Sequence, residues 1–315
     1  MSRVITVGAA QLGAIQRSDS RSAVVARMVT LMREAARNGC DLVAFPELAL
    51  TTFFPRWFMA DQAEIDTFFE REMPSNETAP LFTAARELGL AFTLGFAELV
   101  EEADRIRRFN TQILVGKDGR ILTKYRKIHL PGHAEHEPWR AFQHLEKRYF
   151  EVGTLSWPVV RAGADLQSGL FGQMICNDRR WPESYRVMGL QGVEMIILGY
   201  NTPVHNPPAP AHDRLGDFHN HLVMQAGAYQ NASWVVGVAK CGVEEGCEMI
   251  GGSCIIAPTG EIVAQAVTRE DELVVARCDL DLGQSYKNST FNFARHREPA
   301  QYRMIVERKG AVVPD

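Results

Sequence analysis

Cysteine is scarce in this chain: there are six among 315 residues, and no two form a Cys-x-x-Cys pair. A disulfide framework or a zinc ribbon needs more cysteines or that spacing, so both are excluded, and a reducing cytoplasm is the expected location. An excess of charge of one sign is missing too. Lys plus Arg (34) nearly balance Asp plus Glu (38), leaving a net charge of −4 and no basic surface for nucleic acid or an anionic membrane. No apolar run approaches the ~20 residues of a bilayer span, MIILGY being among the longest. The N-terminus, MSRVITVGAAQL, reads as an alternating strand rather than a charged leader with a long apolar core. Low-complexity tracts and linkers are also lacking. A hydrophobic share of 46% with 23% charged residues therefore fits one soluble globular domain over 1–315.

What is present is a repeated pairing of an amphipathic helix with an apolar strand. SDSRSAVVARMVTLMREAARNG sets Val24, Met28, Leu31, Met32 and Ala35 at helical spacing, and the continuous apolar run DLVAFPEL follows. Such a run reads as a strand buried on both faces, and it delivers Glu47 at its C-terminal end. The same order recurs in PLFTAARELG with LAFTLGFAEL, PESYRVMGLQG with VEMIILGYN, and FHNHLVMQAGAYQN with SWVVGVAK. TQILVGKDGRILTKY and SCIIAPTGEIVAQAV read as hairpins turning at Asp-Gly and Thr-Gly. The halves look like copies of one α/β plan, so two sheets packed face to face with helices outside are expected. His129–Ser156 and Thr202–Gly216 break the rhythm with Pro, Gly, His and charge, which suits loops that wall a pocket.

Three chemical residues stand at strand ends: Glu47 in LVAFPEL, Lys127 in KYRKIHL and Cys176 in GLFGQMICNDRRWPES. Singly, each has an ordinary explanation as a surface charge or a core thiol. Together they carry weight, because the C-terminal ends of neighbouring strands converge on the crevice where open α/β sheets bind ligands. A thiol is mostly protonated at neutral pH and needs a base to act as a nucleophile; a carboxylate serves as that base and a fixed cation holds an oxyanion. The set fits a thiol amidohydrolase.

At these motifs the chain resembles a known family. FPELAL, KYRKIHLPGH and ICNDRRWPE, in that order, are similar to the Glu, Lys and Cys motifs of the nitrilase, or carbon–nitrogen hydrolase, superfamily. Within it, ELALTTFFPRW, FQHLEKRYFE, CNDRRWPE, GYNTPVHNPP and FNFARHR resemble the N-carbamoyl-D-amino acid hydrolases, the D-carbamoylases. The resemblance runs from Phe45 to Arg297. It implies a four-layer αββα sandwich, hydrolysis of N-carbamoyl-D-amino acids to the D-amino acid, carbon dioxide and ammonia, a homodimer or homotetramer, and no metal or organic cofactor. It also implies a second glutamate, Glu146, beside Lys127; on spacing alone Glu146 is a plain helix-surface charge. The segment RAGADLQSGLFG and the tail VERKGAVVPD depart from the family pattern without touching a motif.

The remaining expectations concern substrate binding. Arg179 and Arg180 follow Cys176, and a guanidinium fork suits a substrate carboxylate; one of the two binds it, and the other braces the loop through an acidic neighbour such as Asp178. Asn201 and Thr202 assist, with Asn177, His144 and His129 in the same site. Two alternatives stay open: a β-ureidopropionase or other amidase of the same superfamily, and a metal-dependent amidohydrolase using His129, His133 and His136 with Glu135. Pro131-Gly132 interrupts any helix that would align those histidines, which weighs against the metal. A sandwich used only for binding is disfavoured by the presence of all three chemical residues.

Overall fold

The computed structural model describes residues 2–207 and 209–314. Its strands are β1 (Val4–Gln11), β2 (Leu42–Ala44), β3 (Ala91–Glu102), β4 (Arg105–Val115), β5 (Ile121–Arg126), β6 (Val159–Arg161), β7 (Leu170–Ile175), β8 (Met195–Tyr200), β9 (Trp234–Ala239), β10 (Cys241–Glu244), β11 (Cys247–Ile250), β12 (Cys254–Ile256), β13 (Ile262–Gln265) and β14 (Glu272–Asp279). The first sheet runs β14-β1-β2-β3-β4-β5 and the second β13-β12-β9-β8-β7-β6. In each, three parallel strands have a hairpin on one side and a lone antiparallel strand on the other. The two halves share one plan, as the helix–strand rhythm indicates. The exception is β14, which closes the first sheet from the far end of the chain by pairing along all of β1.

Helices α1 (Arg21–Arg37), α2 (Ala79–Leu88), α3 (Pro182–Gly189) and α4 (Gly216–Asn231) supply the outer layers. Helix α1 starts where Ser20 Oγ accepts from the amide of Ala23, satisfying one of the unpaired amides of the first turn. Its apolar stripe packs with Leu81 and Ala85 of α2 against Phe92 and Ile113 of the first sheet. Tyr185, Met188, Met224 and Ala228 of α3 and α4 do the same against Ile196 and Val235 of the second. Between the sheets Val7, Leu42 and Leu114 meet Phe171, Ile197 and Val236. Each such side chain contributes about 1.5–3 kcal/mol when fully buried, so the middle layer fixes how the sheets face each other. The result is the expected four-layer αββα sandwich. Sandwiching also explains the unbroken apolar run MIILGY, every residue of which is buried in β8.

Because β2, β5, β7, β8 and β9 point the same way, the residues that follow them gather at one edge of the sandwich. The two irregular segments cover that edge. The first contains only the short helix Glu146–Tyr149 and the second a turn of 3-10 helix at Pro210–Leu215. The β10–β11 hairpin completes the wall, since the amides of Val204 and Ile250 donate to Glu248 and Thr202 at 2.8 and 2.9 Å. No helix among the described residues is long and apolar enough to cross a membrane.

Candidate active site

Glu47, Lys127 and Glu146 come together with no solvent exposure. The Lys127 ammonium donates to Glu47 Oε1 at 2.7 Å and to Glu146 Oε2 at 2.6 Å. Burial alone would lower the Lys127 pKa, but Cys176 when it is a thiolate, with the charges of Glu146 and Glu47, outweighs it and holds the ammonium charged. With two of its three protons committed, Lys127 keeps one donor for a ligand. The carboxylates part company. Burial, with the charge of Glu146, pushes the Glu47 carboxyl above its ordinary value despite Lys127. Burial acts on Glu146 too, but Lys127 and His144 hold it below the ordinary value, His144 Nε2 lying 3.3 Å from Oε1. Glu47 Oε1 also accepts from Asn110 Nδ2 at 2.7 Å, while Oε2 is buried with no partner among the described residues. An unpartnered carboxylate oxygen of raised pKa is suited to take a proton.

Cys176 follows β7 at the first residue of a 3-10 turn and is 2% exposed, on the floor of a cleft. Its φ of 46° is left-handed, a strained conformation for a side chain with a Cβ. Asp178 holds the turn: Oδ2 accepts from the Ile175 amide (3.1 Å) and the Tyr125 hydroxyl (2.7 Å), Oδ1 from the His129 amide (3.0 Å) and contacts His129 Nδ1 (2.8 Å). Burial raises the Cys176 thiol pKa, and Glu47 raises it further, while Lys127 and Arg179 pull it down. At neutral pH the thiol is protonated and needs a base at the moment of attack.

The two arginines diverge. Arg179 is 1% exposed and spent inward: Nε on Asn220 Oδ1 (3.0 Å), Nη1 on the Cys176 carbonyl (2.7 Å), Nη2 on Thr202 Oγ1 (2.8 Å), with its plane 4.4 Å from the Tyr200 ring centre. It braces the Cys176 turn, though through Asn220 and Thr202 rather than Asp178. Arg180 lies in the cleft wall; among the described residues its one partner is Asn177 Oδ1 at 3.3 Å, and Arg179 beside it pulls its pKa down to about 10. Asn177, His144, Asn201 and Thr202 also line the cleft, a cavity of about 770 Å³, in the usual range for small-molecule sites. Asn201 is half committed, since Nδ2 donates to the Glu47 carbonyl at 2.8 Å. His129 stacks between Trp157 and Trp181. His133 faces Glu137 and His136 stacks on Phe58. Those three histidines go separate ways, and among the described residues no group of three His, Cys, Asp or Glu is placed to hold a metal ion.

Sequence reasoning missed Asn110, one of three consecutive polar residues in the middle of β4, and two glycines. A β-carbon on Gly95 would lie 2.6 Å from the Pro46 carbonyl, and one on Gly199 2.3 Å from the Glu47 amide. Both sheets thus close on the turn that carries Glu47, and an isolated glycine in an apolar strand is the signal of such close approach.

The model of the carbon-nitrogen hydrolase family matches residues 6–288. The chain belongs to that family. Over 93% of both chains it is 31% identical to an N-carbamoylputrescine amidase of Arabidopsis thaliana. It is 25% identical to a citrullinase of Francisella tularensis, over 92% of this chain and 95% of that one. A carbon-nitrogen hydrolase from Helicobacter pylori G27 superposes with a TM-score of 0.81 at 22% identity, covering 97% of this chain and 99% of that one, a likeness of fold. This membership carries carbon-nitrogen hydrolase chemistry, amide-type hydrolysis by a cysteine-based amidohydrolase.

Proposed function

We propose that this carbon-nitrogen hydrolase cleaves N-carbamoyl-D-amino acids. One observation carries the choice among ureido substrates: Arg180, in the cleft wall beside Cys176, has no carboxylate partner among the described residues, whereas the other two cleft arginines do. Arg56 is paired with Glu244 and Arg140 with Glu137. A free guanidinium favours a substrate that brings its own carboxylate and disfavours one ending in an ammonium. The relatives support the carbamoyl group itself, since N-carbamoylputrescine and citrulline both carry one. The D hand rests on the motif resemblance.

In the reaction Glu47 Oε2 takes the Cys176 proton, and the thiolate attacks the carbamoyl carbon. Lys127 stabilises the oxyanion with its remaining N–H, a contact of the kind worth about 2.7–4 kcal/mol in the barrier. Glu47 returns the proton to the leaving nitrogen and then activates the water that cleaves the remaining S-carbamoyl bond, restoring the thiol and releasing a carbamate that loses carbon dioxide to free the second nitrogen. One water is consumed per amino acid, carbon dioxide and ammonia released. Glu146 stays ionised and keeps Lys127 charged. Ammonia release from N-carbamoyl-D- and -L-amino acids, N-carbamoyl-β-alanine and N-carbamoylputrescine tests the reading. The D-amino acid derivatives should lead in kcat/KM; faster turnover of the putrescine derivative would reject it, and a lead for the β-alanine derivative would make the enzyme a β-ureidopropionase.

A further inference from the structure

A second buried ionic group lies beside the site, and the reaction does not use it. Lys240, directly after β9, and Glu244, at the end of β10, have no solvent exposure. Lys240 Nζ donates to Glu244 Oε2 at 2.9 Å and to the Thr51 carbonyl at 2.8 Å. Glu244 Oε1 accepts from the Phe53 amide at 2.5 Å and from Arg56 at 3.3 Å, and Oε2 from the Ile15 amide at 3.2 Å. Burying a lysine and a glutamate is costly unless both are fully bonded, and replacement by apolar residues is often neutral for stability. Their contacts therefore call for another account. Apart from the Ile15 amide, they converge on the segment Glu47–Arg56, whose backbone is left-handed at Leu48 (φ 45°) and enters regular structure only at the short 3-10 turn Phe54–Arg56.

The geometry points to Lys240 and Glu244 as positioning residues for Glu47. Four grips hold its turn: Ala49 donates to the Gly95 carbonyl of the first sheet at 2.8 Å, Asn201 and Lys240 hold it from the ends of β8 and β9 of the second, and Glu244 holds it from the β10–β11 hairpin that continues β9. Cys176 directly follows β7 of the second sheet. The strand system that carries the nucleophile thus also sets the place of the base, and a displacement near 1 Å between such groups costs on the order of a hundredfold in rate.

The test rests on the role given to Glu47 above. In the double variant Lys240→Met/Glu244→Gln, which leaves no unpaired charge on either residue, kcat should fall about ten- to a hundredfold while KM for an N-carbamoyl-D-amino acid changes less, because Arg180 is untouched and a glutamine amide oxygen can still accept from Arg56 of the cleft wall. Cys176 should still be alkylated by iodoacetamide, because its own turn is untouched, and Lys240→Arg, which keeps the charge, should recover part of kcat. Wild-type kcat in the double variant overturns the proposal. So does an equal loss of kcat, KM and alkylation, or failure to fold, either of which makes the pair a stability element. Glu47→Gln is measured alongside: if that variant turns over normally, the fault lies in the role of Glu47; if it is inactive and the double variant is normal, only the positioning network falls.

Discussion

Gly199 of β8 and Glu47 approach so closely that a β-carbon on the glycine would sit 2.3 Å from the glutamate amide. The obstructing atom is backbone, which cannot swing aside as a side chain can. Gly199→Ala should therefore cost about 1–3 kcal/mol as overpacking and also displace Glu47. A melt and a turnover assay check both; full activity with unchanged Tm would show that the turn moves freely.

Cys176→Ala should remove turnover and leave a folded protein that still binds an N-carbamoyl-D-amino acid. Glu47→Gln separates reactivity from catalysis more sharply. The Glu47 charge raises the Cys176 thiol pKa, so its loss should move the pH profile of iodoacetamide labelling to lower pH while turnover drops about 10²–10⁴-fold. Cys247 also lines the cleft and is the competing thiol; peptide mapping that finds the label there, with activity lost, argues against Cys176.

Glu146→Gln should move the acidic limb of kcat/KM to lower pH, since the Glu146 charge raises the Glu47 pKa and its removal lowers it. Stability should change in the same experiment. Glu146 has a folded pKa below its ordinary 4.5, so the stability it contributes is present above pH 4.5 and is lost as the pH falls through the folded value. The variant should lack that loss when Tm is followed into acid. A limb that moves upward or stays in place would remove Glu146 from the electrostatics of the base.

The arginines should separate by substrate. Arg180→Ala discards a charge-assisted hydrogen bond worth ~1.5–3 kcal/mol, about ten- to a hundredfold in kcat/KM on a carboxylate substrate. On the matching carboxamide the mutation should add little, with Tm unchanged. Arg179→Ala leaves Asn220 and the Cys176 carbonyl without their donor, so Tm should fall and both substrates should suffer. Equal losses on both substrates for Arg180→Ala would place the carboxylate elsewhere.

Glu47, Lys127 and Cys176 could be picked out from sequence because each follows a strand, and strand direction in an α/β sheet is a local property. Glu146 has no such mark; Leu145 and Tyr149 beside it sink into an aromatic cluster with Phe54 and Phe150 and take it inside, so only family resemblance reached it. Adjacency in Arg179-Arg180 says nothing of which side chain turns inward, because that depends on Asn220 and Thr202 from other elements. Lys240 and Glu244 find their partners about 190 positions away, beyond any periodicity. The two irregular segments, by contrast, are recognised by composition and do line the cleft.

The pairing of β1 with β14, Val4 opposite Asp279 through Gln11 opposite Glu272, bears on synthesis. The N-terminal half emerges from the ribosome with every helix and strand of its own plan except the one that seals β1. Until β14 appears, that edge offers a row of unpaired amides and carbonyls to any neighbouring strand. Repetition of the plan therefore does not make the halves separable units. A chain stopped before β14 carries an open sheet prone to association, and closing the sandwich waits on a contact between nearly opposite ends of the molecule, which is slow for the entropic reason that long loops are.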